Sequence, residues 1–144
     1  YRDVLAADIP EVQSGRSRVR IISGSFAGTE GPVQDIIIDP HYYIITMPAD
    51  EHLQLPVHPG YTCFIYCHEG SLTTAGKEVK DHQVALMSDG DHLDLLSGNA
   101  GAGFLFLMGK ALHEPVAWGG QIVMNTREEL RQAFKELDEG NFIK

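Results

Sequence analysis

The sequence predicts an all-β fold of antiparallel strands, arranged as a jelly roll, a sandwich or a small barrel, with one α-helix at the C-terminal end. Fifteen Gly and seven Pro interrupt its 144 residues at short intervals. The runs between them are rich in β-branched and aromatic residues, which favour strands. Many short strands at near-regular spacing are typical of such folds. Because one domain usually has roughly 100–200 residues, we expect residues 1–144 to form a single domain, with a strand-rich barrel over 9–124.

Strands are predicted wherever an apolar run lies between two turn signals. The predicted strands are 19–23, 33–38, 42–47, 61–67, 71–74, 82–87, 92–96 and 104–108. The intervening segments contain residues that favour turns, including Asp39-Pro40, Glu69-Gly70 and Ser97-Gly98-Asn99.

A helix is predicted over residues 126–139. Thr126 and Glu129 have the spacing of a capping box, in which each side chain bonds the backbone amide of the other residue. Gly140 follows as a helix stop. Apolar residues recur at i, i+3, i+4 and i+7 and form one stripe, which consists of Leu130, Ala133, Phe134 and Leu137. This stripe packs either on the barrel of the same chain or on a second domain or subunit, so Leu130, Phe134 and Leu137 are candidate interface residues.

Charge and composition disfavour several classes of function. Eleven Lys and Arg against twenty Asp and Glu give a formal net charge of −9, which disfavours binding to nucleic acid backbones and to anionic membranes. No run approaches the ~20 apolar residues of a membrane-spanning helix, and no signal peptide is visible. Cys63 and Cys67 lie about 13 Å apart if their segment is a strand, too far for a disulfide. We therefore expect reduced thiols and a cytoplasmic location.

No motif in the sequence predicts catalysis or metal binding by itself. The seven His lack the spacing of zinc ligands. Cys63 and Cys67 share one strand face with Ile65, which is typical of buried thiols that pack as small apolar groups. Tyr42 and Tyr43 are adjacent in a predicted strand, so one ring is expected in the core and the other at the surface. We therefore assign no catalytic residue.

Several short motifs are distributed along nearly the whole chain, including Ile9-Pro10-Glu11, Glu69-Gly70 and Gly90-Asp91. The most specific segment is Glu114-Pro115-Val116, followed by Val123-Met124-Asn125-Thr126. In these motifs the chain closely resembles the C-terminal domain of the pirin family, whose members consist of two cupin β-barrels in tandem. The resemblance implies a cupin-type β-barrel or jelly roll. A small departure is Gly119-Gly120-Gln121-Ile122, which stands where the family usually has Gly-Pro-Phe.

The resemblance also implies where a metal site would lie. The N-terminal cupin of the family holds iron with a His-Pro-His motif and a later His-x-Glu. Aligned on that motif, the ligand positions of this chain are Pro56, His58, Gly103 and Leu105. A single imidazole cannot hold Fe(II), so we expect no metal in this chain, and His58 is interpreted as a relic or a satisfied core histidine. The same alignment predicts strand faces, with Thr62, Phe64 and Tyr66 inward and Cys63 and Ile65 outward.

Pirin-like chains are longer, and this chain begins with Tyr1 rather than Met, so we expect it to be an isolated C-terminal half. Its first implied function is to brace an iron-binding N-terminal cupin, which would be its partner in the parent chain. The alternatives are part of a quercetin 2,3-dioxygenase-like enzyme with its active site in the N-terminal half, and a protein-interaction domain of an iron-dependent transcriptional or metabolic regulator. Self-association of the fragment is also expected, as is a nuclear location if the parent is eukaryotic.

Overall fold

The computed structural model describes residues 3–143, which form twelve β-strands and one α-helix. The strands are β1 (Glu11–Ser14), β2 (Ser17–Ser23), β3 (Ser25–Phe26), β4 (Thr29–Glu30), β5 (His41–Met47), β6 (His52–Pro56), β7 (Tyr61–Thr74), β8 (Lys77–Lys80), β9 (Gln83–Leu86), β10 (His92–Lys110), β11 (Ala117–Gly119) and β12 (Ile122–Met124), and the helix is α1 (Arg127–Asp138). The chain forms two compact units, of which the first ends at Ala111 and the second begins at Leu112.

The first unit is built on one large antiparallel sheet. Its strands follow the order β1-β2-β5-β10-β7-β8, with β6 also paired to β10 and β9 also paired to β7. The named strand pairs of this sheet are all antiparallel. Strands of this kind need no crossover helix, which agrees with the helix-free sequence between β1 and β10. The predicted fold class, an antiparallel jelly roll with one C-terminal helix, is therefore confirmed.

Two long bent strands replace four of the predicted short ones. β7 contains both 61–67 and 71–74, and β10 contains both 92–96 and 104–108. The predicted turns at Glu69-Gly70 and Ser97-Gly98-Asn99 are therefore wrong. The pairing of β7 with β10 instead shifts register between Ser97 and Ala102, and both Gly70 (φ +69°) and Gly101 (φ +83°) adopt positive φ. Glycine tolerates this conformation, so the strands bend at these points and continue.

The core of the first unit consists of one face of each central strand. Across β5, β10 and β7, Tyr43 lies opposite Phe106 and Phe106 lies opposite Ile65, and each of these side chains is fully buried. Cys63 and Cys67 lie on the same buried face as Ile65, as their spacing predicts. Side chains alternate along a strand, so the intervening residues are more exposed.

The strand faces that the family alignment predicted for β7 are therefore wrong. Thr62 is exposed and Phe64 and Tyr66 are only half-buried, whereas Cys63 and Ile65 are in the core. An alignment error of one residue is sufficient to exchange the two faces of a strand.

Residues 33–38 form a loop rather than the predicted strand. Val33 makes a single bridge to Ser23, and Asp35 and Asp39 both adopt positive φ, which turns the chain. By contrast, β1, β6 and β8 were not predicted. These strands are only four or five residues long and alternate apolar residues with Glu, Gln or Lys. Such short, partly polar segments are difficult to distinguish from turns in the sequence.

The second unit consists of the β11–β12 hairpin and α1. A β-carbon at Gly119 would lie 3.2 Å from a Leu130 methyl and 3.1 Å from the Phe134 ring, so the helix stripe packs on the hairpin at a residue without a side chain. The observed helix agrees with the predicted one, and no helix in the described range is long and apolar enough to cross a membrane.

Both ends of α1 have the predicted caps. The Thr126 hydroxyl accepts a hydrogen bond from the Glu129 amide, and the Glu129 carboxylate accepts one from the Thr126 amide. At the C-terminal end, the amides of Gly140 and Asn141 donate to the carbonyls of Leu137 and Glu136, which is the Schellman arrangement.

Candidate functional site

The positions aligned with a cupin metal site contain no set of ligands. Pro56 and His58 are exposed, so His58 is not a core histidine. Leu105 is half-buried, and its neighbours Phe104 and Phe106 are fully buried and face the core. Within residues 3–143, no group of three or more His, Cys, Asp or Glu side chains is placed to hold a metal ion. The residues present therefore do not fit the iron that the family implies for its metal-binding half.

A buried hydrogen-bond network occupies the interior next to these positions. Tyr43 donates its hydroxyl proton to the Ser25 carbonyl at 2.6 Å, and His41 Nδ1 lies 2.7 Å from the same hydroxyl oxygen. Because the single hydroxyl proton is used by Ser25, His41 Nδ1 must donate to Tyr43, which leaves Nε2 without a proton in the neutral ring. Burial lowers the pKa of His41 and raises that of Tyr43, so both groups stay neutral.

A second polar group lies at the rim of the first unit. The Tyr61 hydroxyl donates to Asp39 Oδ2 at 2.6 Å, and Lys110 Nζ lies 3.8 Å from the same oxygen. The hydrogen bond from Tyr61 is the main reason for the lowered pKa of Asp39, and the same bond raises the pKa of Tyr61. The His58 ring stands between the His41 and Tyr61 rings, with centroids 5.1 and 5.0 Å away.

Within each of these two groups, the side chains bond mainly to other members of the same group. The Tyr43 and Tyr61 hydroxyls already donate, and the Asp39 carboxylate already accepts. An active site normally leaves a donor, a nucleophile or an open coordination position directed at a substrate. The arrangement is therefore one that stabilises the end of the core, and no reaction step follows from it.

Two other histidines, His52 and His92, form a solvated surface chain with Asp91 and Asp94. His92 Nε2 lies 3.3 Å from Asp94, and His52 lies 3.8 Å from the same carboxylate on the neighbouring strand. The hydrogen bond to Asp91 is the main cause of the raised pKa of His92. These side chains are about half exposed or more, so water screens the contacts.

The two thiols are not suited to nucleophilic chemistry. Burial raises the pKa of Cys63 to about 11, and it also raises the pKa of Cys67. A thiol needs a lowered pKa to react as a thiolate at neutral pH. The interpretation of both residues as small apolar core groups is confirmed by their burial.

The most specific family motif has a structural role in the second unit. Asn125 donates from Nδ2 to Glu114 Oε2 at 3.0 Å, and its backbone amide donates to Glu129. Thr126 forms the N-terminal cap of α1. Met124 pairs with Ala117 in the hairpin that follows Pro115. This motif therefore connects the start of the hairpin to the start of the helix.

The His41–Tyr43 network was the feature that the sequence indicated least clearly. The adjacency of Tyr42 and Tyr43 predicted one buried and one surface ring, and Tyr43 is indeed buried while Tyr42 is partly exposed. The contact with Ser25 was not predictable, because it joins residues 18 positions apart through a side-chain hydroxyl.

The antiparallel jelly roll is the fold of several classes of protein, of which the cupins are one. Within the cupins, residues 42–143 match the Pirin C-terminal cupin domain, and the chain belongs to the pirin family.

Relatives of the chain are longer than the chain itself. A Thermoplasma acidophilum protein named "Putative quercetin 2,3-dioxygenase" is 35% identical over 152 residues, which cover 100% of this chain and 58% of the relative. Pirin from Homo sapiens is 28% identical over 142 residues, which cover 95% of this chain and 49% of pirin. The crystal structure of a quercetin 2,3-dioxygenase from Acinetobacter baumannii superposes with a TM-score of 0.88 at 26% identity, covering 96% of this chain and 49% of the enzyme. This chain thus spans about half the length of the curated relatives it matches.

Proposed function

We propose that this chain is a cupin half that holds no metal itself and braces an iron-binding cupin half of a longer pirin-family protein. The observation that carries the proposal is the content of its interior. The core positions of the central strands are filled by Tyr43, Ile65, Phe104 and Phe106, each at most 1% exposed. Non-haem iron needs several nitrogen and carboxylate ligands with open positions for substrate, and a close-packed apolar core offers neither.

The exposed end of the helix stripe supports a bracing role. Phe134 and Leu137 are 39% and 53% exposed although they continue the stripe that packs on the hairpin. With Ile122 and Phe142 they line an open apolar depression in the second unit. Apolar residues grouped in this way mark protein contacts more often than isolated ones do. We propose that Leu130, Phe134 and Leu137 belong to the surface that meets the iron-binding half.

The activity of the longer protein is proposed from its relatives. Those with the name or title quercetin 2,3-dioxygenase include proteins from Thermoplasma acidophilum, Pseudomonas aeruginosa and Acinetobacter baumannii. We propose a dioxygenase of this kind with its reactive site in the half that this chain lacks. Because a fold does not define chemistry, this proposal depends on the family names and not on a site in this chain.

An activity assay with added metal tests the proposal that this half has no reactive metal site of its own. The purified chain is incubated with Fe(II), O₂ and quercetin, and the loss of quercetin absorbance is followed. The expected result is the rate of free Fe(II) alone, because the chain contributes no ligands. A rate of quercetin loss that exceeds the free-metal control and disappears in His58→Ala would contradict the proposal that the metal site lies only in the other half.

A further inference from the structure

The main sheet has an outer face that carries two rows of apolar side chains across its strands. In the first row, Tyr42, Leu107, Phe64 and Leu86 are in direct register on β5, β10, β7 and β9. In the second row, Ile44, Leu105, Tyr66 and Val84 are in register on the same strands. Leu86 is 72% exposed and Val84 is 64% exposed, although β9 pairs with β7 at both positions. We call these residues the apolar rows.

A groove opens onto the first apolar row. It has a volume of about 350 Å³, and its lining includes Tyr42, Phe64 and Leu107 of that row together with Ile36 and Ile38 of the loop before β5. This size is within the range of cavities that take up an apolar group of a binding partner, roughly 300–1,000 Å³. A pocket beside exposed apolar side chains is typical of the centre of a protein interface.

Two arginines lie beside the second apolar row. Arg20 is in register with Ile44, and Arg18 is in register with Thr46 on the same face. Arg20 donates to the Ala6 carbonyl at 3.4 Å, and neither guanidinium forms an ion pair with any residue of the described part of the chain. Glu11 is in register with Arg20 and lines the same small depression without pairing with it. The edge of the outer face therefore presents two cations available to a carboxylate, in a chain whose net charge is −9.

The end of α1 has the complementary chemistry. Phe134, Leu137 and Phe142 are apolar side chains that are 39%, 53% and 37% exposed. Asp138 follows Phe134 by four residues, which places it on the same side of the helix. Asp138 is exposed and forms no ion pair with another residue between 3 and 143. The helix end thus combines apolar anchors with an available carboxylate.

We propose that the outer face binds the end of α1 from a second copy of this chain. In this contact Phe134 or Leu137 enters the groove at Tyr42, and Asp138 pairs with Arg18 and Arg20. The spacing is compatible, because Tyr42 and Thr46 span about 13 Å along β5 and an arginine side chain reaches several ångströms back along it. Each copy offers one face and one helix end, so two copies have the groups to form this contact twice in a dimer.

In a longer protein, the surfaces of the proposed dimer would be covered by another part of the same chain. There, the iron-binding half would occupy the place that a second copy takes here, so the inference shares the helix end with the proposed function. The two are tested separately, because iron binding and turnover test the function whereas molecular mass in solution tests the dimer.

Sedimentation equilibrium of the purified chain measures the association. The expected result is a reversible monomer–dimer equilibrium. The double substitution R18E/R20E is expected to weaken dimerisation by about tenfold or more, since it places two carboxylates opposite Asp138. Asp138→Arg is expected to weaken it similarly. K77E/K80E is the control because it changes the net charge by the same amount on β8, which contains no residue of the apolar rows or of the arginine pair. It should leave the dimerisation constant within about twofold.

Mixing the two weakened variants gives the decisive comparison. In a heterodimer of R18E/R20E with Asp138→Arg, one contact joins the natural arginines to the natural Asp138. The other contact joins the two introduced glutamates to the introduced arginine, so both contacts are complementary in charge. The mixture is therefore expected to dimerise about as well as the natural chain, while each variant alone does not. Thermal unfolding of each variant checks that it is folded, which is expected because Arg18 and Asp138 are exposed. A monomer at every concentration, or a dimer insensitive to both reversals, would overturn the proposal and assign the outer face to a different protein.

Discussion

Gly70 and Gly101 approach so closely that a β-carbon on Gly70 would lie 2.1 Å from the Gly101 carbonyl oxygen. Both residues have positive φ, and they lie where β7 and β10 bend and change register. A β-carbon on Gly101 would in turn lie 2.6 Å from the Met47 carbonyl oxygen of β5. The three central strands of the sheet are therefore held together at a point where only backbone fits.

Gly70→Ala tests this close approach. The substitution combines a positive φ with a clash against backbone that cannot move aside, so it should lower the free energy of unfolding by about 2–4 kcal/mol. Chemical denaturation measures the loss. Gly76→Ala is the control, because Gly76 also has positive φ (+72°) but has nothing within 4 Å of the added carbon. It should cost only about 1 kcal/mol, and equal losses at the two sites would contradict the steric explanation.

The same glycine pair shows how far the sequence determines the fold. Alternating apolar residues located β2 and β5 correctly, because these strands have one fully buried face. Glu69-Gly70 was interpreted as a turn, since Gly after a polar residue is equally typical of a turn and of a bend within a strand. Only the partner strand, more than thirty residues further along, distinguishes the two cases.

The candidate site was predictable in part. The arrangement of Tyr42 and Tyr43, with one ring buried and the other partly exposed, followed from the alternation of side chains along a strand. The faces of β7 and the exposure of His58 were not predicted correctly. Both were inferred from the family alignment, and an alignment error of one residue exchanges the two faces of a strand.

Tyr43→Phe tests the buried network. Removal of the hydroxyl leaves the His41 Nδ1 proton without an acceptor and the Ser25 carbonyl without a donor. An unsatisfied buried group costs about 1–3 kcal/mol, so the variant should lose about that much of its free energy of unfolding. Tyr42→Phe removes the same atom from a partly exposed ring with no hydrogen bond to the described residues, and it should be nearly neutral. A neutral Tyr43→Phe would show that the network contributes nothing to stability.

The buried His41 predicts a pH dependence of stability. Burial is the main cause of its lowered pKa, and the neighbouring His58 lowers the pKa further. The unfolded chain therefore takes up a proton at higher pH than the native chain, so stability should fall as the pH drops through the ordinary value of 6.5 toward the lower native pKa.

Urea unfolding between about pH 7 and 5 measures this effect. His92 has a raised pKa, so its contribution has the opposite sign, and the test is a comparison of variants. His41→Asn should reduce the loss of stability toward pH 5, whereas His92→Asn should increase it. If His41→Asn left the pH dependence unchanged, the assignment of a neutral buried ring would be wrong.

Thr126→Ala tests the cap of the C-terminal helix. The substitution removes the acceptor for the Glu129 amide and should destabilise the second unit by about 1 kcal/mol. Hydrogen exchange of the amides in α1 measures this loss locally. Arg127→Ala changes an exposed side chain in the same turn and should have little effect. Equal protection in Thr126→Ala and the natural chain would contradict a capping role for this part of the family motif.

The interior of this cupin is a close-packed apolar core, and the proposed function requires that it binds no iron. Equilibrium dialysis of the purified chain against Fe(II) under reducing, anaerobic conditions measures this, with His58→Ala dialysed beside it. We expect iron at the level of the protein-free compartment for both chains, because the fully buried Phe104 and Phe106 occupy the positions that face the core. One iron per chain, lost in His58→Ala, would contradict this expectation.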